Sequence, residues 1–175
     1  MTRLIITYGI IAGIIELILL ALSMGLVADH GMLGMVLGYL SMLIALSLVF
    51  AGVKKYRDEH LGGVIGFSKA LGVGLGIAGL AALFYVSGWE AYMWSTDYRF
   101  VAEFSAKAIA DIRAQGASAD ALAKAKADMD AFAEMYANPA MRMGITLTEI
   151  APVALLVPLI SALLLRRPGF MPARA

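Results

Sequence analysis

The sequence predicts an all-α membrane protein: a four-transmembrane-helix bundle with an extramembrane helical hairpin between spans three and four. Hydrophobic residues make up 61% of its 175 residues and the mean hydropathy is +0.82, outside the usual range of soluble proteins. Four long runs carry almost no charge, and lysines and arginines collect at their ends. Together these three observations predict a chain that is embedded in lipid.

Charge and residue content exclude several functional classes. The net charge of +1 gives no indication of a nucleic-acid partner. The absence of cysteine excludes disulfides, thiolate nucleophiles and Cys-ligated metal centres. Two histidines without HExxH spacing do not fit a zinc hydrolase, and there is no GxSxG motif or phosphate-binding glycine loop. The sequence therefore predicts no cofactor and favours a non-enzymatic protein.

The first predicted span covers about residues 4–28 and contains a single charge, Glu16. At about 1.5 Å per residue this run can cross a hydrocarbon core of roughly 30 Å. A cleaved signal peptide is the competing interpretation, but the apolar run is too long and no small-x-small cleavage site precedes Asp29. The pattern therefore favours a segment that stays in the membrane.

The second and third predicted spans cover about residues 32–53 and 66–94. A turn at residues 29–31 is short enough that the first two spans must be antiparallel. Aromatic residues stand at the end of the third span, where a belt would meet lipid headgroups. They are Trp89, Tyr92 and Trp94.

The segment between these two spans is the densest basic cluster of the chain. Its basic residues are Lys54, Lys55, Arg57 and Lys69. They outnumber the acidic residues of the same stretch by two. Loops rich in lysine and arginine are retained in the cytoplasm, so this segment is predicted to face inward. The same cations would also attract anionic lipid headgroups.

Residues 95–142 form an extended polar region, with seven acidic and six basic residues among alanines. Apolar residues recur there at helical spacing in two sets, separated by a break at Gln115 and Gly116. We interpret the region as a periplasmic hairpin of two amphipathic helices. The second helix is predicted to be capped by Ser118 and to end before Asn138.

The fourth predicted span covers about residues 143–165, contains two prolines, and ends at Arg166 and Arg167. These arginines lie on the same predicted side as the basic cluster and Arg3. The charge distribution thus predicts a single integral domain over residues 1–175. It is a multi-pass protein of the bacterial inner membrane with both termini in the cytoplasm.

Several blocks of sequence resemble one family. They are KKYRDEH followed by GG and GFSKA, the pair Asn138-Pro139, and the closing run TEIAPVALLVPLISALLLRR. Together they resemble the domain of unknown function 4199 family over residues 8–167. The resemblance implies a four-span inner-membrane protein with no assigned activity, and so adds nothing on chemistry.

Small residues form one stripe in each of the second and third spans, where helix backbones can approach closely. The stripes contain Gly34, Gly38, Ser41, Ala45 and Gly52 in the second span, and Ser68, Gly72, Gly76 and Gly79 in the third. Packing within one bundle accounts for both. A homo-oligomer seam using Gly72 and Gly76 is the alternative.

Four ionisable residues are candidates for function: Glu16, His30, Glu90 and Glu149. Glu16 lies about half-way through the first span, where a charge costs at least a few kcal/mol. It is expected to be a neutral acid bonded to a neighbouring helix, or else a group that handles protons or cations. Near the outer membrane surface, Glu90, Glu149 and His30 are expected in salt bridges, with a cation or headgroup site as the alternative.

Two functions follow as hypotheses. The first is a non-enzymatic membrane protein whose hairpin contacts membrane lipid, a periplasmic protein or another copy of the chain, and it predicts an exposed apolar patch on the hairpin. The second is a small proton- or cation-coupled transporter or channel subunit, which requires Glu16 to face a wet interior. A lipid-modifying enzyme using Glu90, Glu149 and His30 lacks an evident nucleophile.

Overall fold

The computed structural model describes residues 1–26 and 32–172, and within them it contains six helices and no strand. The helices are α1 (Thr2–Leu26), α2 (Met32–His60), α3 (Phe67–Ser95), α4 (Phe100–Ala114), α5 (Ala119–Ala137) and α6 (Pro139–Leu165). By length and composition α1, α2, α3 and α6 can each cross a membrane. The predicted all-α class with four candidate spans is therefore confirmed.

The chain divides into two compact units, Met1–Gly88 with Leu147–Ala175, and Trp89–Thr146. In the first unit, α1 and α3 pack closely through glycines. A Cβ atom placed on Gly9 would lie 2.8 Å from the Leu80 Cβ, and one on Gly13 would collide with the Phe84 ring. Residue numbers rise together along both helices, so α1 and α3 run parallel, as expected for two spans separated by one other span.

Large apolar side chains line the outer surface of the span helices. On α1 they recur at every fourth position: Ile6, Ile10, Ile14, Ile18 and Leu22 are all exposed, Ile18 by 54%. Soluble proteins rarely leave so long an apolar stripe in water. Lipid is the medium that such a stripe fits, in agreement with a multi-pass membrane protein.

The second helix is longer than the predicted second span, because it continues to His60 and includes Lys54, Lys55 and Arg57 of the basic cluster. Lys54 Nζ lies 2.6 Å from Asp58 Oδ2, one helical turn away. Pairs of this kind stabilise a helix by about 0.2–0.5 kcal/mol each. Gly62 and Gly63 follow the helix with φ angles of +64° and +90°, a conformation that glycine adopts without steric cost.

In the second unit, α4 and α5 pack against each other across a short turn. Gly116 in this turn has a φ of +80°, which fits the predicted break. Ser118 Oγ accepts a hydrogen bond from the backbone N–H of Ala121 at 3.2 Å, so the predicted N-cap of α5 is confirmed.

The sixth helix begins at Pro139, four residues before the predicted start of the fourth span. Asn138 Oδ1 accepts a hydrogen bond from the backbone N–H of Ala140 at 2.9 Å. Proline suits the first helical position because its missing N–H would have no partner there. Arg142, which the polar pattern assigned to the hairpin region, therefore lies near the beginning of α6.

Candidate functional site

A buried arginine forms the centre of the second unit. Arg142 is 3% exposed. Its Nε and Nη2 donate to Glu90 Oε1 and Oε2 at 2.7 and 2.6 Å, and Nη1 donates to the carbonyl of Tyr136 at 3.1 Å. Two parallel bonds to one carboxylate are the strongest geometry for such a pair. The guanidinium charge is therefore matched by a carboxylate rather than by water.

Aromatic rings surround the same guanidinium. Its carbon lies 5.0 Å from the ring centroid of Tyr98 and 6.0 Å from that of Tyr136. Trp89 Nε1 in turn donates to the Tyr136 hydroxyl at 2.6 Å. A cation facing aromatic rings is stabilised by about 0.5–2 kcal/mol. This network links the end of α3, the end of α5 and the beginning of α6.

The turn before α4 has an unusual backbone that places Tyr98 beside Arg142. Asp97 and Tyr98 have φ angles of +50° and +58°. Left-handed conformations at non-glycine residues cost of order 1–3 kcal/mol each. The backbone N–H of Tyr98 donates to the carbonyl of Met93 at 2.8 Å, which holds the turn closed. The Tyr98 side chain is 48% exposed, so its ring forms an edge of the network.

A cavity of about 440 Å³ opens beside this network. It is lined by Met93, Tyr98, Val101, Ala102, Ala133, Tyr136, Ala137, Pro139 and Arg142. Its size falls within the range of roughly 300–1,000 Å³ typical of small-molecule sites. Arg142 supplies the charge in the lining, and neither a carboxylate nor a nucleophilic serine or histidine belongs to it. The cavity, called the α4–α5 pocket below, suits binding of an apolar or amphiphilic molecule better than acid–base chemistry.

Glu16 is also buried but, unlike Arg142, it has no polar partner among the described residues. It is 1% exposed, and neither of its carboxylate oxygens has a hydrogen-bond partner within residues 1–26 and 32–172. On both sides of Glu16 along the helix, α1 packs tightly on α3, since Gly13 lies against Phe84, and Leu17 and Leu20 lie against Gly88. An ionised carboxylate left unpaired in such a place costs several kcal/mol. The surroundings therefore accommodate the neutral acid.

The other two candidate acids have different surroundings, and His30 lies outside the described residues. Glu90 is the partner of Arg142. Glu149 is exposed on α6 and belongs to the first unit. The part of the chain that the structure covers contains no group of three or more histidine or acidic side chains that could hold a metal ion.

The basic cluster is largely occupied by contacts within the protein. Arg57 is fully buried, and its Nη1 and Nη2 donate to the carbonyls of Phe170 and Met171 at 2.8 and 2.5 Å. Its Nε donates to Asp58 at 2.6 Å. Lys54 also pairs with Asp58, and Lys55 pairs more loosely with Glu59. Arg166 and Arg167 are exposed.

The small-residue stripes face different surroundings. Gly52 packs on Ile77 and Tyr8, and a Cβ atom on Gly76 would lie 3.0 Å from Ile5. Gly34 is half-buried. Among the described residues, no heavy atom beyond the helix's own nearby backbone lies within 4 Å of a Cβ atom placed on Gly38, Gly72 or Gly79.

The α4–α5 pocket itself did not emerge from the sequence. Glu90 was predicted to form a salt bridge near the outer surface, whereas no contact of Tyr98 or Tyr136 with that salt bridge was predicted. The sequence did contain one indication of this contact. Glu90 lies near the end of the third predicted span and Arg142 just before the fourth, and their opposite charges favour an ion pair.

Comparison with known proteins yields one match. Neither the curated proteins nor the solved structures contain a match to this chain. A family model described as "Protein of unknown function (DUF4199)" matches residues 7–167, which confirms the resemblance drawn from the KKYRDEH and TEIAPVALLVPLISALLLRR blocks. The chain therefore belongs to the DUF4199 family of proteins of unknown function.

Proposed function

We propose that this chain is a non-enzymatic inner-membrane protein that binds membrane lipid through a periplasmic helical hairpin formed by α4 and α5. In this proposal both termini lie in the cytoplasm, and the four span helices anchor the chain in the bilayer. The observation that carries the proposal is the α4–α5 pocket, an apolar cavity of about 440 Å³ in the polar region between the third and fourth spans.

Two further features support a lipid as the ligand. Exposed apolar side chains occur on the same helices, with Phe104 at 39% and Met135 at 43% exposure. These residues supply the exposed apolar surface that an interaction module requires. The pocket is also built partly from α3 and α6, whose adjoining segments are candidate membrane spans, so bilayer lipid is the most abundant apolar molecule close to it.

Lipid retention tests the proposal. The protein is purified in a mild detergent and its bound lipids are counted by native mass spectrometry. Ala133 lines the pocket, so Ala133→Phe fills it, whereas Ala131→Phe adds the same ring at an exposed position of α5 outside the lining. We expect one retained lipid in the wild type and in Ala131→Phe and none in Ala133→Phe. Absence of any retained lipid from the wild type would refute the proposal.

The transporter hypothesis has less support. It needs Glu16 to reach water, and Glu16 is 1% exposed with unpartnered oxygens among the described residues. In liposomes that contain a pH-sensitive dye, we expect wild type and Glu16→Gln to show equal and negligible proton flux. A flux present in the wild type and absent from Glu16→Gln would restore Glu16 as a coupling group.

A further inference from the structure

We propose that the α4–α5 pocket takes a single hydrocarbon chain of a membrane lipid, acyl or isoprenoid, and leaves the headgroup outside. This inference rests on the proposed lipid-binding function and specifies which part of the lipid is recognised. It follows from how the charge of Arg142 is used, from the composition of the pocket wall and from the position of Tyr98.

The charge beside the pocket is already matched. Three nitrogens of Arg142 donate to protein acceptors, two of them to the Glu90 carboxylate. An anionic headgroup brought to the guanidinium would have to approach Glu90 as well, and like charges at close range repel. Displacing Glu90 would leave its carboxylate without its present partner, which costs several kcal/mol for a buried pair. The pair therefore disfavours a charged headgroup inside the pocket.

The rest of the wall fits a hydrocarbon. Apart from Arg142 and two tyrosines, the lining consists of Met93, Val101, Ala102, Ala133, Ala137 and Pro139. Each methylene transferred from water to such surroundings contributes about 0.8 kcal/mol. Methionine and small alanine side chains also adapt to chains of irregular shape. A flexible chain is thus the part of a lipid that gains most from this cavity.

Tyr98 lines one side of the pocket. Its ring lies against the Arg142 guanidinium, and its backbone is held in a left-handed conformation next to a second such residue, Asp97. Strained backbone persists where surrounding contacts over-determine it, and it often marks a ligand site. The Tyr98 ring lines the pocket and is half-exposed. A bound chain would therefore lie against it and be covered on that side.

Tryptophan fluorescence can report the position of the chain. The sequence contains two tryptophans, Trp89 and Trp94. Trp89 is 9% exposed and is hydrogen-bonded to Tyr136, which lines the pocket. Trp94, in contrast, is 74% exposed. The variant Trp94→Phe therefore leaves one reporter beside the pocket. Phospholipids with bromine atoms on their acyl chains quench that reporter when the chain is bound.

The titration compares headgroups and pocket variants in the Trp94→Phe background in detergent. We expect saturable quenching of Trp89 by brominated phosphatidylcholine and phosphatidylglycerol, with dissociation constants that agree within about threefold, or about 0.65 kcal/mol. Ala133→Phe should weaken binding at least about tenfold, or about 1.4 kcal/mol, and Ala131→Phe should not. Displacement by oleic acid alone identifies an acyl chain, and displacement by a polyprenol alone identifies an isoprenoid chain; either supports the inference.

Other outcomes overturn it. A preference for phosphatidylglycerol over phosphatidylcholine of more than about a hundredfold, or 2.7 kcal/mol, would mean that the headgroup is recognised. Equal quenching in Ala133→Phe and Ala131→Phe, with lipid still retained by mass spectrometry, would place the lipid elsewhere and leave the proposed function standing. A wild type that retains no lipid would remove both.

A second variant keeps the test valid if Ala133→Phe does not fold. Tyr98→Ala removes a half-exposed ring and leaves the pairing of Arg142 with Glu90 intact. We expect the brominated lipid to dissociate at least about threefold faster from Tyr98→Ala, because one side of the chain loses its cover. An unchanged dissociation rate would show that Tyr98 does not cover the lipid chain in the pocket, and it would contradict this part of the inference.

Discussion

Two buried ionisable side chains, Arg142 in the second compact unit and Glu16 in the first, have opposite environments. Arg142 is 3% exposed and has three hydrogen bonds and two aromatic neighbours. Glu16 is 1% exposed and has no hydrogen-bond partner among the described residues. A guanidinium cannot release its proton in a protein, so it can be buried only with partners, whereas a carboxyl group can be buried alone by holding a proton.

The two units also differ in how their helices approach. In the first unit α1 and α3 meet at glycines, where removal of side chains lets helices pack without a hydrophobic driving force. In the second unit the contacts run through rings, such as Trp89 with Phe100 at 4.9 Å between centroids. Close packing at glycines thus joins α1 to α3, whereas polar and aromatic pairing surrounds Arg142. Three substitution experiments test that contrast.

The largest effect is expected from breaking the Arg142–Glu90 pair. Glu90→Leu leaves the almost completely buried guanidinium of Arg142 without its carboxylate partner. Loss of one partner of a buried pair costs roughly 3–5 kcal/mol. Arg142→Met should cost less, because the Glu90 side chain is 19% exposed and can gain some water. The double variant should recover much of the loss. Thermal unfolding in detergent measures all three, and single variants as stable as the wild type would contradict the pairing.

An intermediate effect is expected from filling a glycine contact in the first unit. Gly13→Ala places a methyl group against the Phe84 ring, and overpacking of this kind costs roughly 1–3 kcal/mol. Gly79→Ala is the matched control on α3, since no described residue outside its own helical turn has a heavy atom within 4 Å of the new methyl group. The control should gain up to about 1 kcal/mol, the helix propensity of alanine over glycine. Equal changes in the two unfolding temperatures would rule out tight α1–α3 packing.

The smallest effect is expected at Glu16. Glu16→Gln replaces a neutral acid by a neutral amide of the same shape, so the unfolding free energy should change by less than about 1 kcal/mol, the size of one ordinary hydrogen bond. The same thermal unfolding assay measures it. A loss of several kcal/mol would instead indicate that Glu16 is ionised and paired, and the contrast with Arg142 would disappear.

The spans were predictable because they depend on local composition alone. An uncharged run such as residues 32–53 is sufficient to specify a membrane-crossing helix, whatever its neighbours are. The N-cap at Ser118 and the break at Gly116 are likewise local, and both were predicted. The beginning of α6 was predicted four residues too late, although Asn138 followed by Pro139 is typical of a helix start.

The pocket was not predictable because it depends on contacts between distant residues. Asp97 and Tyr98 adopt positive φ angles, which glycine, asparagine and aspartate favour; nothing in the sequence indicates such a conformation at Tyr98. Without that turn, Tyr98 cannot be placed beside Arg142. The extension of α2 to His60 was missed for a different reason, since the charges that predict an inward-facing loop also pair along a helix.

The proposal depends most on where the hairpin lies, and this can be measured directly. The sequence contains no cysteine, so in a single-cysteine variant a thiol reagent labels only the introduced residue. Gln115→Cys marks the turn between α4 and α5, and Lys55→Cys marks the basic cluster; both positions are exposed. A membrane-impermeant maleimide applied to spheroplasts should label Gln115→Cys at once and Lys55→Cys only after lysis. Labelling of Lys55→Cys in intact spheroplasts, with Gln115→Cys protected, would contradict the proposed orientation and the periplasmic lipid site.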